Sequence, residues 1–215
     1  PLRQERDDYL SFEEIVRLVG LLSQEGLQAV RITGGEPLLR RGLPQLIAAF
    51  NELPHLNEVL LTTNGILLDR HAQALRNAGL KRINIHLDTL RADTFRNITR
   101  GGDIERVLAG LEAAQSAGFS PIKLNVVLQK GINDNEVEEM VCFAAERGLI
   151  LRFIEIMPIG EGLQLQDRYL NTEALKKIFS ERWTLIPYGQ RLGLGPANYY
   201  KVAELDSVIG FIHPV

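Results

Sequence analysis

The sequence predicts an α/β chain whose parallel sheet forms a partial or open barrel, followed by a small C-terminal antiparallel β appendage. Three observations carry this. An order of helix, glycine and strand recurs at Gly26, Gly79, Gly118 and Gly148, ahead of strands at 29–33, 82–88, 122–128 and 149–156, and a strand at 59–63 fits the same cycle without the glycine. Five strands thus alternate with helices at spacings of about 25–40 residues, the signature of repeated βα units. Secondly, these strands are not the continuous aliphatic runs of a parallel sheet covered on both faces, because each carries polar or charged residues. Thirdly, beyond residue 181 the pattern changes to short alternating pieces at 183–188, 199–202 and 208–212, separated by Gly189, Gly193, Gly195-Pro196 and Asp206-Ser207.

The elements follow in order. Ser11 and Glu14 form a capping box, and Ile15, Leu18, Val19 and Leu22 repeat on one helical face until Gly26 supplies a left-handed stop. Further helices are predicted near 44–53, 68–78, 104–117, 134–147 and 173–181. Pro44 suits a first helical position, Asp69, Asp103 and Asn133 or Asp134 supply caps, and the last helix starts at Asn171-Thr172. No linker or low-complexity segment divides the chain, so one domain with an appendage is expected.

Composition narrows the function classes. With 215 residues, 45% of them apolar, the chain can bury a sizeable core. A net charge of −3 supplies no basic field for nucleic acid. No apolar run reaches membrane-spanning length and the opening residues lack the apolar core of a secretory signal, so a cytoplasmic protein is expected. The single cysteine, Cys142, lies among Val137, Met140, Val141 and Ala144 at helical spacing and reads as a packing residue. One thiol makes neither a disulfide framework nor a cluster site. Proline at position 1 and an end without a closing helix suggest a segment of a longer protein.

The densest chemistry is Arg31-Ile-Thr-Gly-Gly-Glu-Pro37. An apolar strand carries an arginine and runs into two glycines that let a ligand approach the backbone, with Glu36 at the carboxyl end where ligands of α/β sheets sit. By itself, a Gly-Gly turn with Arg31 snorkelling from an edge strand also accounts for this stretch. The design recurs, however. Alternation places Arg31 with Thr33, Asn84 with His86 and Asp88, and Lys123 with Asn125 on one face, and Val30, Ile32, Ile83, Ile85, Leu87, Leu124 and Val126 on the other. Arg152 and Glu155 break the parity, so their strand needs a bulge or one of the two lies outside the site. Buried unpaired charges cost several kcal/mol, so these groups either pair with one another or meet anionic ligands. Arg31, Lys123 and Arg152 suit a polyanion such as a triphosphate. Lys123 also sits where a Schiff-base lysine would. His86 reads either as a hydrogen-bonding wall or as a general base, and no second histidine stands at metal-ligand spacing; His55 and His71 are expected to face solvent, and His213 to sit in the last strand.

With Arg31-Ile-Thr-Gly-Gly-Glu-Pro37, Leu61-Thr-Thr-Asn-Gly65, Arg82-Ile-Asn-Ile-His-Leu-Asp88, the stretch Lys123 to Asp134 and Arg152-Phe-Ile-Glu-Ile-Met157 in this order, essentially the whole chain resembles the GTP 3′,8-cyclase family of molybdenum cofactor biosynthesis, radical S-adenosylmethionine enzymes. The resemblance implies an incomplete TIM-like (β/α)6 barrel whose first strand is missing here, with 1–182 as barrel core and 183–215 as the β appendage that begins a C-terminal extension. It implies a lyase that converts GTP to (8S)-3′,8-cyclo-7,8-dihydroguanosine 5′-triphosphate in the intact protein. Gly34, Gly35, Glu36 and Met157 match positions that hold S-adenosylmethionine; Arg31, Thr62, Lys123 and Arg152 match positions assigned to GTP. His86 stands where the family has a serine that contacts S-adenosylmethionine. The imidazole is larger, and either donates the same hydrogen bond or crowds the ligand.

The resemblance also implies two 4Fe-4S clusters, held by an N-terminal Cys-x3-Cys-x2-Cys loop and by three C-terminal cysteines, and this sequence contains neither set. The segment alone is therefore expected to be inactive, with no catalytic residue and no metal ligand of its own. A radical enzyme acting on a peptide or another small molecule, and a cluster-free binding scaffold, are the alternatives. GTP is the expected partner, and an apolar sheet edge exposed by truncation is expected to favour a homodimer.

Overall fold

The computed structural model describes residues 9–157, 159–190, 192, 193 and 195–213. Helix α1 (Phe12–Gln24) leads to strand β1 (Ala29–Ile32), and then α2 (Leu43–Asn51), β2 (Glu58–Thr63), α3 (Leu68–Asn77), β3 (Arg82–His86), α4 (Ala92–Ile98), α5 (Ile104–Ser116), β4 (Lys123–Val127), α6 (Val137–Glu146), β5 (Ile150–Ile154), α7 (Thr172–Ser180), β6 (Leu185–Pro187), β7 (Asn198–Val202) and β8 (Ser207–Ile212) follow. The strands form one sheet in the order β1-β2-β3-β4-β5-β8-β7-β6, with β1 and β6 at its edges. Strands β1 to β5 run parallel, β8 joins β5 in parallel, and β7 runs antiparallel to both β8 and β6. The appendage thus continues the barrel sheet through β8.

Local capping signals account for α1, α5 and α7. The capping box of α1 is closed, with the Ser11 N–H donating to Glu14 Oε2 at 2.8 Å and the Glu14 N–H donating to Ser11 Oγ at 3.2 Å. Gly26 follows at φ +102°, a left-handed conformation that a side chain would strain. Asp103 caps α5 as expected, and Asn171 caps α7.

Other expectations need correction. Pro44 is the second residue of α2, behind a left-handed Gly42. Asp69 lies in the first turn of α3, where its charge favours the helix dipole, rather than at the cap, which is Leu67. Neither Asn133 nor Asp134 caps α6: a short 3₁₀ turn, Asp134–Glu136, precedes it, and the Asn133 side chain is taken by the Gln129 N–H. Helix α4 is absent from the sequence-based reading. It has no side-chain cap and buries only Phe95, so neither periodicity nor capping announces it.

One face of the sheet is aliphatic and lies under the helices. Val59, Leu61, Ile83, Ile85, Leu124, Val126, Leu151 and Phe153 are buried there with Ile47, Phe50, Leu75, Val107, Leu111 and Met140 from the helices, each large side chain contributing about 1.5–3 kcal/mol. Cys142 on α6 is half-buried. Phe179 of α7 stands edge-on to Phe153 (centroids 5.1 Å apart) and to Phe211 (5.5 Å), so one aromatic group fastens α7 to β5 and β8.

Helices α3 and α5 approach closely where Gly110 meets the turn after β2. A Cβ at residue 110 would overlap the Gly65 carbonyl oxygen and lie 3.0 Å from Leu68 Cβ. Gly110→Ala is expected to lower the unfolding free energy by about 1–3 kcal/mol despite alanine's better helix propensity; urea denaturation checks this, and an unchanged midpoint would refute the close-approach account.

Candidate substrate-binding site

The other face of the sheet is polar, and the register explains why. In a parallel ladder, directly paired residues share a face. Arg31 pairs with Leu60 and Leu60 with Arg82; Thr62 pairs with Asn84 and Asn84 with Lys123; Asn125 pairs with Arg152 and Arg152 with Gly210. Arg152 therefore shares the polar face without a bulge. Strand β5 ends at Ile154, and Glu155 follows with the opposite parity, buried and accepting a hydrogen bond from the Tyr169 hydroxyl at 3.1 Å.

Arg31, Arg82, Asn84, Lys123 and Arg152 line one small pocket together with Leu60, Ile83, Pro121, Gly193 and Gly195. Four cations meet there, and the carboxylate beside them is Glu58, 2.8 Å from Arg82 Nη1. Arg152 is 3% exposed, and its Nε and Nη2 donate to Asn125 Oδ1 at 2.9 and 2.6 Å. Lys123 Nζ donates to the Leu192 carbonyl oxygen and, at 3.2 Å, to the Tyr199 hydroxyl. Thr62 accepts from Asn84 Nδ2 at 3.1 Å. Arg31 is exposed, and among the described residues it has no hydrogen-bond or ion-pair partner.

Burial, then the charges of Arg152, Arg82 and Arg31, push the Lys123 ammonium down to about 8, and Glu58 offsets this only in part. Burial also lowers Arg152 from its ordinary value, against the stabilising effect of Tyr199. Both shifts are those of a cation cluster short of negative charge.

A second group lies along the carboxyl edge of the parallel strands. Gly34 and Gly35 follow β1, and a Cβ at either would meet nothing within 4 Å. They line a cleft of about 1030 Å³ with Thr33, Glu36, Arg40 and the start of α1. Glu36 is already engaged: it accepts from Thr63 Oγ1 at 2.6 Å, the Asn64 N–H at 2.8 Å and the Leu38 N–H at 3.1 Å. An ionised carboxylate offers about four acceptor positions, so one is left for a ligand ammonium. His86 ends β3, and its Nε2 is 2.9 Å from Asp88 Oδ2. Met157 follows β5 and is half exposed. His55 and His213 are exposed and His71 half-buried, and His213 falls just after β8.

Sequence reasoning missed three contributors. Arg82 was legible, since it shares parity with Asn84 and His86. Tyr199 was not, because nothing local says that β7 reaches across to Lys123. Asn133 was misread as a cap: it is fully buried, its Nδ2 donating to the Asp88 and Val127 carbonyls at 2.7 and 3.1 Å.

These observations define a class: an open parallel α/β barrel with a cationic interior and a glycine-rich strand end on its carboxyl edge. The Radical SAM superfamily profile matches residues 2–144, and the chain belongs to that superfamily. It is 41% identical over 204 residues to the GTP 3′,8-cyclase of Petrotoga mobilis, covering 94% of this chain and 63% of the relative, and 43% identical over 211 residues to that of Hydrogenovibrio crunogenus, covering 97% and 64%. The chain thus spans a little under two thirds of the length of these curated relatives. Among solved structures it resembles Streptococcus suis SuiB bound to precursor peptide SuiA (TM-score 0.65, 17% identity, 84% of this chain and 42% of that one). It also resembles coproporphyrinogen III oxidase (HemN) from Escherichia coli (TM-score 0.54, 14% identity, 79% and 45%), which shows the shared fold.

The superfamily implies S-adenosylmethionine and a 4Fe-4S cluster. The open Gly34-Gly35 backbone and the remaining acceptor position of Glu36 fit an amino-acid moiety. A cluster does not fit these residues: the sequence has one cysteine, on α6, and no group of three His, Cys, Asp or Glu that could hold a metal ion occurs among the described residues. Among them, too, no helix is long and apolar enough to cross a membrane.

Burial disfavours the His86 imidazolium, but the hydrogen bond and the charge of Asp88 outweigh it and raise the pKa above 6.5. The stability this pair adds is therefore full below pH 6.5 and is lost as pH rises through the raised value. In an NMR titration His86 is expected to show a midpoint above 6.5, and Asp88→Asn to bring it down; a wild-type midpoint at or below 6.5 contradicts the pairing.

Proposed function

We propose that this chain is the barrel part of a GTP 3′,8-cyclase, with the basic pocket taking the triphosphate of GTP and the carboxyl edge taking S-adenosylmethionine. The carrying observation is the imbalance in the basic pocket, where four cations, two of them buried, stand beside one carboxylate, Glu58, since a protein that gathers such a set with too few anions of its own is built to receive them. Arg31, Thr62, Lys123 and Arg152 are assigned to GTP. Gly34, Gly35, Glu36, His86 and Met157 are assigned to S-adenosylmethionine, which they would hold at the carboxyl edge and which would supply radical chemistry in the intact protein. The identity to the named cyclases supports the same reading.

In this reading the chain's residues position rather than react. The cations fix the phosphate end of the nucleotide, and that anchors the ribose at a set height in the barrel, an orientation effect worth several kcal/mol of barrier. The fixed groups at the carboxyl edge hold the cosubstrate facing it. A cytoplasmic setting goes with a nucleotide substrate. The Schiff-base alternative for Lys123 is disfavoured because two acceptors and three guanidinium groups surround the nitrogen, an environment suited to an anion rather than a carbonyl carbon.

The intact protein, reconstituted anaerobically with its clusters and given GTP and S-adenosylmethionine, is expected to release 5′-deoxyadenosine; no release from a cluster-loaded sample rejects the proposal. Lys123→Glu is expected to weaken GTP binding by about 30-fold or more. A bound polyphosphate restores Lys123 toward its ordinary value, so binding above about pH 8 takes up a proton and affinity falls as pH rises through 8. Calorimetry in buffers of different ionisation enthalpy measures that proton, and a pH-independent affinity between 7 and 9.5 contradicts the account.

A further inference from the structure

The basic pocket is not made by the parallel strands alone. Tyr199 of β7 is buried and stands on the same face as its partner Gly210. Its hydroxyl accepts from Lys123 Nζ at 3.2 Å, its ring centroid lies 5.5 Å from the same nitrogen, and its nearness favours the charged form of Arg152. One neutral oxygen therefore holds Lys123 in place beside Arg152, a cation that repels it. Room for this is left by Gly210, where a Cβ would fall 2.9 Å from the Tyr199 ring and 3.3 Å from Arg152 Cγ. From the same C-terminal segment, the Leu192 carbonyl takes another Lys123 hydrogen, and Gly193 lies against Arg82 and Lys123.

The chemistry of the acceptor matters. A carboxylate at this point would hold the two cations equally well, but it would also neutralise them and leave less charge for a ligand. A phenol orders them and leaves the excess charge intact. The lysine gains most, because an ammonium on a four-carbon stem is mobile and strongly hydrated unless its donors are fixed.

We propose that Tyr199 is a positioning residue of the anion subsite, acting through Lys123, so that the C-terminal β hairpin completes the polyphosphate pocket. This rests on the reading that the pocket takes the triphosphate of GTP. Tyr199 does not reach the reacting atoms; it sets where the phosphate-binding cations stand.

The test is Tyr199→Phe in the intact, cluster-loaded protein, with inorganic triphosphate as the binding probe and GTP as substrate. The expected result is about tenfold weaker triphosphate binding, a GTP KM raised by a similar factor, and kcat within about twofold of wild type. In a Lys123→Met background the further loss from Tyr199→Phe is expected to shrink to under about threefold, because the ammonium that the hydroxyl holds is gone. Gly210→Ala, which displaces the ring but keeps the hydroxyl, is the second variant and is expected to weaken triphosphate binding too. Wild-type binding with an unchanged Tyr199→Phe variant overturns the role of Tyr199 alone. Failure of the wild type to bind either triphosphate or GTP overturns the reading of the pocket and this inference with it. A drop in kcat with KM unchanged, or an equal loss in the Lys123→Met background, also overturns it.

Discussion

Like charges held on one face of a parallel sheet are the constraint around which this protein is organised. Register gives Arg31, Arg82, Lys123 and Arg152 a common side, and two of them are nearly withdrawn from water. A buried cation without a counter-charge is tolerated only where neutral acceptors satisfy its hydrogens or where it can lose its proton. Both responses occur. Arg152 leans on the Asn125 amide, and Lys123 leans on a carbonyl and a phenol while its ammonium is pushed down to about 8. The C-terminal strands belong to this solution, since Tyr199 and Leu192 supply the acceptors, which gives a physical reason for β8 to extend the parallel sheet at β5.

The carboxyl edge is held differently, by buried or half-buried carboxylates and an amide that satisfy loop backbone. Glu36 ties the turn after β1 to Thr63 and Asn64 after β2. Asp88 accepts from the Val127 N–H at 2.7 Å and holds His86 with its other oxygen. Asn133 bridges the loops after β3 and β4, and the buried Glu136 accepts from Thr89 and, at 3.0 Å, Thr94. Loop backbone buried at strand ends has to find partners, and a fully satisfied network also makes those loops rigid. A site that works by orientation needs such rigidity.

The two halves thus divide the work along the strand axis. Toward the amino ends lies excess positive charge, suited to phosphates; toward the carboxyl ends lie glycine backbone, a partly filled carboxylate and a His–Asp pair, suited to an amino-acid ligand. The aliphatic face behind them holds both halves at fixed separation, and the Phe153, Phe179 and Phe211 group extends that rigid backing to the C-terminal strands.

Much of this was legible from local pattern. Period-two alternation assigned Arg31, Asn84, His86, Lys123 and Asn125 to one face because side-chain direction along a strand is fixed by covalent geometry, and glycines after helices marked where strands begin. Helix α4 was not legible because a short uncapped helix with one buried residue leaves no periodic signal. Arg152 was ambiguous because the end of β5, which removes the conflict with Glu155, is set by its neighbours rather than by its own residues. By itself, then, the sequence determined the alternation, the first five strands of the parallel sheet and the identity of the charged groups, but not that β8 joins them in parallel. Only the tertiary structure decided the pairing order, the reach of Tyr199 to Lys123 and the filling of Glu36 by the turn after β2, because each joins residues distant in the chain, and local propensity carries no information about which distant segments will meet.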